Sequence, residues 1–339
     1  MQPIHTVYGG AHLFRRDTAP KLARIARKAF DTYHHLLPVT DPVKDRIAAK
    51  LDHNAVEDLR IDFEDGYGVR ADEEETEHAV FAAKEVNEGY KDGTLPAFLG
   101  IRPRSFHAAT RTRALRTLRA FFGALHRVPD NFAVTLPKIE HEEEIEALRM
   151  ALDDLGVNPA IELMIETPQA LANMKAFHAA AGPQCRGAHL GPYDLMSSCG
   201  LVSASQSLRH ALCTHARLQM LIGFAGSGVW LSDGPTSTLP LGGEEEVGQA
   251  WKLQWLDVQN SLATGFFQGW DLHPAQFPIR YAALYQHFSE HLPSTLARLE
   301  NFETQQQQAT RIGVVFDDAA TIRGLRAFAE RARSCGFLE

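Results

Sequence analysis

Residues 161–194 read IELMIETPQALANMKAFHAAAGPQCRGAHLGPYD. Two short apolar runs lie at the ends of this stretch, and the residues between them, 168–181, have helical spacing. A carboxylate closes each run, Glu166 after the first and Asp194 after the second. The pattern predicts a strand–helix–strand unit of a parallel α/β fold. In such folds the carboxyl ends of the strands point into one crevice, where ligands bind.

The two carboxylates would repel each other in that crevice unless a cation lay between them. A hard divalent ion such as Mg²⁺ prefers oxygen ligands of this kind. We therefore predict that Glu166 and Asp194 bind Mg²⁺ and that the chain is a metal-assisted enzyme.

Apolar runs and helical patterns alternate along almost the whole chain. The candidate strands are residues 7–14, 59–63, 97–102, 132–136, 161–165, 187–190, 228–231 and 266–272. The helical segments between them are residues 19–33, 73–88, 109–125, 142–155, 168–181, 207–222 and 244–262. Eight strands with intervening helices predict an α/β fold of the (β/α)₈ TIM barrel type. A doubly wound sheet also alternates in this way and is the alternative.

Two segments fall outside the regular alternation. Residues 41–56 are polar, contain a proline and are predicted to form an insertion before the second strand. Residues 278–339 are mostly helical, and we predict that they form an extension over the barrel mouth or a neighbouring subunit. The predicted organisation is a barrel over residues 1–277 followed by a C-terminal helical extension.

The composition excludes several other classes of protein. The chain has 339 residues, of which 45% are hydrophobic, and its formal net charge of −8 argues against a nucleic-acid surface. No apolar run approaches the roughly 18 residues of a membrane span. The N-terminus lacks a signal segment, and the four cysteines have no disulfide-like spacing. We predict a cytoplasmic enzyme for a small anionic substrate, without nucleic-acid or membrane partners.

Three acids follow the second candidate strand, at Asp62, Glu64 and Asp65. Such a cluster is unfavourable in a core, so some of these acids must meet a cation or solvent at the strand end. We predict catalytic roles for Glu64 and Asp65. Asp62 is open between a role in the site and a local structural role, and a turn at Asp65-Gly66 is the structural alternative for Asp65.

Arginine residues follow the third strand, at Arg102 and Arg104. An arginine at a strand end can bind a carboxylate bidentately and stabilise developing negative charge. We predict that Arg102 binds substrate and takes part in catalysis, although a salt bridge to the acids of strand two is compatible with the pattern. Arg104 follows Pro103, which favours an extended chain and a side chain in solvent.

A lysine and a histidine follow two further strands, at Lys138 and His273. Lys138 could form a Schiff base with substrate or act as counter-ion to the acidic cluster. The many nearby carboxylates favour its ammonium form and therefore the counter-ion role. For His273 a position in the site and one outside it are both open.

These motifs and their order along the chain resemble those of the citrate lyase beta-subunit-like aldolases, the HpcH/HpaI aldolase family of the pyruvate/phosphoenolpyruvate barrel superfamily. The resemblance covers residues 6–335 and rests on the segments DFED (62–65), Arg102, LPKIE (136–140), IET (165–167), GPYDL (191–195) and HPAQ (273–276). It implies Mg²⁺ ligation by Glu166 and Asp194, and contact of Arg102 with a keto-acid or enolate group. It also implies that the acids of strand two hold metal-bound waters and assist proton transfer.

Further predictions attach to the same motifs. We predict substrate contacts for Lys138, Thr167 and Pro192. In several members of the family the C-terminal segment closes over a neighbouring subunit's site and supplies an aspartate. The resemblance therefore implies a homo-oligomer, with Asp317 or Asp318 as the candidate aspartate.

Family members cleave or form carbon–carbon bonds in 3-hydroxyacyl compounds, often coenzyme A thioesters, and some hydrolyse malyl-CoA. The resemblance implies an Mg²⁺-dependent carbon–carbon lyase acting on a 3-hydroxy acid or its CoA thioester, with a keto acid at the metal. An acyl-CoA thioester hydrolase on the same site and a non-catalytic metabolite-binding barrel are the alternatives. The segment Arg102-Pro103-Arg104 lacks the usual asparagine, and its added arginine predicts a second anionic group on the substrate.

Overall fold

The computed structural model describes residues 1–304, 310–312 and 315–338. Its centre is a closed barrel of eight parallel strands, in which each strand pairs with the next and the last pairs with the first. The strands are β1 (His5–Gly10), β2 (Asp58–Asp62), β3 (Phe98–Arg102), β4 (Phe132–Leu136), β5 (Ala160–Ile165), β6 (Cys185–Leu190), β7 (Trp230–Asp233) and β8 (Gln268–Asp271). The predicted TIM barrel is confirmed, and the doubly wound alternative is wrong.

Helices surround the barrel. Those of the described residues are α1 (Thr18–Tyr33), α2 (Asp41–Asn54), α3 (Asp72–Asp92), α4 (Arg111–Ala124), α5 (Glu142–Asp154), α6 (Pro168–Ala172), α7 (Met174–Ala181), α8 (Pro192–Ser198), α9 (Ala211–Gly223), α10 (Glu244–Ala263), α11 (Phe277–Thr304) and α12 (Ala319–Ser334). None of the helices in these ranges is long and apolar enough to cross a membrane. All four cysteines are free.

The central strands are covered on both faces. Every residue of β2, β3 and β4 is buried, as expected for parallel strands between a barrel interior and an outer layer of helices. The barrel interior also holds charge: Arg60, which is fully buried, donates from Nη2 to Glu162 at 2.6 Å and from Nε to Thr135 at 3.0 Å. This paired layer fills the barrel below the carboxyl ends of the strands.

The first strand is shorter than predicted. β1 ends at Gly10, and Ala11–Leu13 form a turn of 3₁₀ helix where the sequence predicts strand to residue 14. A Cβ atom at Gly10 would lie 2.3 Å from the carbonyl oxygen of Gly66. The chain after β1 therefore passes directly against the loop after β2, which only glycine allows.

The predicted helix over residues 168–181 is two helices, α6 and α7, which meet at Asn173. The strand before Asp194 ends at the predicted residue, but the chain then enters a helix that was not predicted. β6 ends at Leu190, and Pro192 begins α8, so that Asp194 lies in the first turn of a helix. Proline suits this position because its missing N–H has no partner in the first turn of a helix.

The predicted insertion at residues 41–56 contains α2, which buries Val43, Ile47 and Leu51 and packs against α1 and α11. α11 follows β8 and also contacts α1 and α10. After α11 come the antiparallel strands β9 (Thr310–Ile312) and β10 (Val315–Asp317), and α12, which packs on α11. The division into a barrel over residues 1–277 and an extension over 278–339 stays a prediction, and α11 spans its boundary.

Candidate active site

A cavity of about 430 Å³ opens at the carboxyl ends of the strands. Its described lining residues are Tyr8, Asp62, Asp65, Gly66, Arg102, Gly191, Pro192, Tyr193, Asp194, Pro235, Ser237, Trp270 and Leu272. The volume suits a small ligand. Because active sites of TIM barrels lie at this face, the cavity is the candidate active site.

Glu166 and Asp194 meet beside this cavity. Glu166 directly follows β5 and is 1% exposed, and its Oε1 accepts the backbone N–H of Lys138 at 2.6 Å. A Cβ atom at Gly191 would lie 2.3 Å from Glu166 Oε2, so glycine alone allows the loop before α8 to approach this carboxylate. The loop brings Asp194, whose side chain is 43% exposed, towards Glu166 from solvent.

The charges of these two carboxylates are not balanced within the protein. Burial raises the pKa of Glu166 to about 7, and the nearby Asp194 carboxylate adds to this effect, while the Lys138 and Arg102 charges oppose it. Burial also raises the pKa of Asp194. A cation between the two groups would relieve both effects.

The donor set suits Mg²⁺. The described residues contain no cluster of three or more histidine, cysteine or acidic side chains around one point. Two carboxylates with open positions for water and substrate oxygens are nevertheless a usual way for proteins to hold Mg²⁺. Glu166 and Asp194 therefore fit the ion that the sequence predicts for them, and this assignment stays a prediction.

Arg102 lies between the acids and two aromatic rings. Its Nε and Nη2 atoms donate to the two carboxylate oxygens of Asp62 at 2.7 and 2.6 Å. Its guanidinium carbon lies 4.7 Å from the ring centre of Tyr8 and 5.3 Å from that of Trp270. The Nη1 atom has no hydrogen-bond partner, although it lies 3.5 Å from an oxygen of Glu64. The guanidinium is thus held in place, and its Nη1 atom is buried within ion-pair distance of Glu64 and Asp65 without a hydrogen bond.

Lys138 is the second cation of the cluster. Its Nζ forms an ion pair with Glu64, lies 3.1 Å from Asp65 Oδ1 and lies 3.9 Å from Asp194 Oδ1. Burial lowers the pKa of this ammonium, but Glu64 outweighs burial and holds the pKa above its usual value. The ammonium form favours the counter-ion interpretation over a Schiff base. The backbone at Lys138 has a φ of 51°, a left-handed conformation that directs its N–H to Glu166.

Glu64 and Asp65 have opposite pKa shifts. Burial raises the pKa of Glu64. Burial would also raise the pKa of Asp65, but a hydrogen bond with Glu64 and the charge of Arg102 hold it below its usual value. Two adjacent carboxyls with separated pKa values can divide the roles of proton acceptor and fixed charge.

Several other predicted site residues have structural partners. Asp62 lines the cavity and forms an ion pair with Arg102. Its carboxylate also accepts hydrogen bonds from the backbone N–H groups of Glu64 and Gly66, so it orders the loop after β2. Thr167 caps α6: its hydroxyl accepts from Ala170 N at 2.9 Å and donates to Ile139 O at 2.6 Å.

His273 and Arg104 also lie outside the described lining. His273 accepts the N–H of Ala275 at 3.1 Å and caps the 3₁₀ turn after β8. Arg104 donates to Glu75 at 2.9 Å and to the carbonyl oxygen of Gly68 at 2.7 Å. Arg104 thus has Glu75 of α3 as a structural partner, and its interpretation as a ligand for a second anionic group stays a prediction.

Of the two candidate aspartates in the C-terminal segment, the structure describes the side chain of Asp318 but not that of Asp317. The side chain of Asp317 lies outside the part of the chain that the structure describes. Asp318 is described, and its carboxylate caps α12 by accepting the N–H groups of Ala320 at 3.1 Å and Thr321 at 2.9 Å. The predicted contribution to a neighbouring subunit's site stays a prediction.

One side of the cavity was not predicted. Tyr8, Tyr193, Trp270 and Leu272 line it, together with Pro235 and Ser237 of the loop after β7. Pro192, a predicted substrate contact, is part of the same lining. Tyr8 and Trp270 lie on β1 and β8, whose pairing closes the barrel, and their ring centres are 4.2 Å apart. An aromatic residue in each terminal strand is the available sequence signal, and it is useful only once that pairing is known.

The chain belongs to the family described as "Domain of unknown function (DUF6986)", which matches over residues 1–339. No curated protein sequence matches the chain. The fold is similar to a citrate lyase from Burkholderia xenovorans LB400, with 21% sequence identity, a TM-score of 0.70 and coverage of 99% of this chain and 93% of that one.

Two proteins of Mycobacterium tuberculosis share the fold at 17% identity. The protein CitE, solved with magnesium, acetoacetate and coenzyme A, has a TM-score of 0.59, with 97% of each chain covered. A citrate lyase beta subunit, solved with oxaloacetate and magnesium, has a TM-score of 0.52, with coverage of 83% of this chain and 96% of that one. At these identities the similarity shows the fold alone.

Proposed function

We propose that this member of the DUF6986 family is an Mg²⁺-dependent carbon–carbon lyase that cleaves or forms an aldol bond next to a 2-keto acid. The observation that carries the proposal is the pair of carboxyls Glu166 and Asp194, whose pKa values both stay raised although Lys138 and Arg102 are close, beside a cavity that also contains Arg102. Similar folds have been solved with magnesium and with oxaloacetate or acetoacetate, which supports the same chemistry here.

Glu166 and Asp194 would hold the ion, with Gly191 allowing the close approach of their two segments. When bound, the ion supplies an electrophile for the keto-acid oxygens and stabilises the charge of an enolate. Arg102 is fixed by Asp62 and offers Nη1 to the carboxylate or the developing enolate oxygen. Each of these groups is positioned before substrate arrives, which lowers the reorganisation needed during the reaction.

Glu64 and Asp65 would move the proton. Asp65 lines the cavity, and Glu64 lies next to it within the reach of Arg102 and Lys138. In the cleavage direction the hydroxyl of the substrate loses its proton to this pair through water, and the carbon that carried it becomes a carbonyl. Lys138 keeps the charge of the pair balanced while the proton is transferred.

Enolate formation can be tested without knowledge of the second substrate. We expect the protein with Mg²⁺ to exchange the C3 protons of pyruvate for deuterium in D₂O, because enolisation is half of the aldol reaction. Proton NMR of the pyruvate methyl signal measures the rate, and protein treated with a chelator is the control. Exchange at the uncatalysed rate with Mg²⁺ present would refute the proposal.

The same protein preparation distinguishes the lyase proposal from the alternative of a thioester hydrolase. It predicts release of free thiol from malyl-CoA without deuterium exchange into pyruvate, and the lyase proposal predicts exchange. A thiol reagent measures the first product and NMR the second. Thiol release alone would replace the lyase assignment by the hydrolase.

Mg²⁺ is expected to stabilise the protein more at pH 8 than at pH 5.5. The pKa of Glu166 is raised to about 7, so the folded protein binds this proton more tightly than the unfolded chain does. Metal-free protein therefore loses stability as the pH rises from the ordinary glutamate pKa to about 7. Ionised Glu166 is free to bind the ion at pH 8, whereas at pH 5.5 a proton competes for it.

The measurement is the midpoint of thermal unfolding with and without Mg²⁺ at the two pH values. We expect a rise of a few degrees at pH 8 and little or none at pH 5.5. Glu166→Gln removes the titrating group, and its protein should show no shift at either pH. An equal shift of the wild-type protein at both pH values would mean that the ion binds elsewhere.

A further inference from the structure

The cavity has two chemically different sides. One side carries the acids and Arg102, and the other is formed by aromatic and aliphatic side chains. Arg102 marks the boundary, because its guanidinium pairs with Asp62 and also lies over the rings of Tyr8 and Trp270. The acidic side fits the metal and the keto acid of the proposed function, so the other side must meet the remainder of the substrate.

The polar atoms of the apolar side are mostly bound within the protein. The hydroxyl of Tyr8 donates to the sulfur of Met164 at 3.9 Å, and burial raises the pKa of this phenol, which stays neutral. The hydroxyl of Tyr193 donates to Pro235 O at 3.1 Å and accepts from Ser237 N at 3.2 Å. The indole N–H of Trp270 is buried without a partner, and Ser237 adds a hydroxyl, so this side presents rings and neutral polar groups but no charge.

The charge of the site argues against a second anionic group on the substrate. Five carboxyls, those of Asp62, Glu64, Asp65, Glu166 and Asp194, face two cations, Arg102 and Lys138. A divalent ion leaves this cluster with a negative charge when all the carboxyls are ionised, and the keto acid adds another. A further carboxylate or phosphate would be repelled unless a separate cation met it.

Nearby arginines are already bound by the first turn of α3. Arg70 forms an ion pair with Glu74 at 2.6 Å. Arg113 and Arg104 both form ion pairs with Glu75, at 2.7 and 2.9 Å. Within the described residues, Arg102 is the one cation that lines the cavity. The basic residues of this region therefore stabilise α3 and the loop before it rather than forming a site for anions.

We infer that the second product of the proposed lyase is an uncharged apolar aldehyde, so that the substrate is a 4-hydroxy-2-keto acid with a hydrocarbon chain at C4. This inference rests on the proposed function. In the reaction the bond between C3 and C4 breaks, and the C4 hydroxyl proton goes to the Glu64–Asp65 pair as C4 becomes the aldehyde carbon. The electron pair of the broken bond forms the enolate, which takes up a proton at C3 to give the 2-keto acid. The chain at C4 packs against Tyr8, Trp270 and Leu272.

The test measures condensation of pyruvate with two classes of aldehyde in the presence of Mg²⁺ and, in a separate reaction without pyruvate, condensation of acetyl-CoA with glyoxylate. Pentanal is the apolar aldehyde, succinic semialdehyde is an anionic aldehyde, and acetyl-CoA with glyoxylate tests a thioester. We expect kcat/KM for pentanal to exceed that for succinic semialdehyde by about tenfold or more, and no product from acetyl-CoA. A preference for succinic semialdehyde over pentanal, or product from acetyl-CoA and glyoxylate, would overturn the inference.

Leu272 follows β8, lines the cavity and is 40% exposed. A charged residue at this position should change the ratio of kcat/KM for pentanal to that for succinic semialdehyde. Leu272→Arg is expected to lower the ratio of pentanal to succinic semialdehyde by about tenfold, and Leu272→Glu to leave it high or raise it. Leu218→Arg, at a leucine of α9 that is 47% exposed, is the matched control and should not change the ratio. An equal ratio in the Leu272→Arg and Leu272→Glu proteins would show that the chain at C4 does not lie on this side.

Failure of the inference is distinguishable from failure of the proposed function. Deuterium exchange into pyruvate depends on the metal and the acidic side alone. Exchange together with a preference for anionic acceptors would refute the inference and leave the lyase in place. Absence of exchange would refute the proposed function itself.

Discussion

Glu166→Gln should lower Mg²⁺-dependent deuterium exchange into pyruvate by about a thousandfold, which corresponds to about 4 kcal/mol of activation free energy. The amide keeps an oxygen that can accept the N–H of Lys138, the bond that Glu166 makes at 2.6 Å. It removes the negative charge, and with it one of the two protein ligands proposed for the ion. The exchange rate at saturating Mg²⁺ is the measurement.

Two controls separate loss of the ion from loss of the fold. Glu143→Gln changes an exposed glutamate in the first turn of α5 and should leave exchange unchanged. Metal-free Glu166→Gln protein should be at least as stable as the wild type at pH 8, because it no longer buries a carboxylate whose pKa is raised to about 7. A wild-type rate of deuterium exchange in the Glu166→Gln protein would refute the assignment of Glu166 as an Mg²⁺ ligand.

The barrel was predictable because its strands are short and covered on both faces. β2, β3 and β4 are wholly buried, and β3 and β4 appear in the sequence as mainly apolar runs between helical patterns, whereas β2 is short and carries Asp58, Arg60 and Asp62. Glu166 was predictable for the same reason, since it is the first polar residue after β5. Burial of β5 on both faces thus made both the strand and the polar residue that ends it recognisable in the sequence.

The position of Asp194 was less predictable because the apolar pattern continues past the strand. Leu190 ends β6, and the short helix α8 begins at Pro192 and buries Leu195 and Met196. A strand and a short buried helix have the same composition, and periodicity cannot separate them over seven residues. The Gly191-Pro192 pair was the local signal of a helix start.

The apolar side of the cavity was not predictable from local pattern. Tyr8 and Trp270 lie 262 positions apart in the chain, and they meet because β8 pairs with β1. The partner of Arg104 was missed for a related reason. Glu75 lies in the first turn of α3, and its contact with Arg104 becomes visible only when α3 and the loop after β3 are placed in space.

Arg102→Met is expected to destabilise the protein by about 3–5 kcal/mol and to abolish exchange. Arg102 and Asp62 are almost completely buried, and their bidentate pair neutralises both charges. Methionine fills much of the volume between Tyr8 and Trp270 but leaves the carboxylate of Asp62 buried without a cation. The backbone N–H groups of Glu64 and Gly66 still donate to Asp62, which limits the loss. Chemical denaturation measures the free energy of unfolding.

The double variant Arg102→Met/Asp62→Asn separates the two roles of the arginine. Its free energy of unfolding should recover by more than half, because the neutral amide at residue 62 no longer needs a cation, and the cycle gives the coupling energy of the pair. Exchange should stay absent, because Nη1, the nitrogen without a partner, is missing in both variants. Arg127→Met, at an arginine 54% exposed in a pair with Asp130, is the control and should not change stability measurably. If the double variant recovered exchange along with stability, Arg102 would hold only the loop after β2, and the developing charge of the enolate would have to be met by the metal alone.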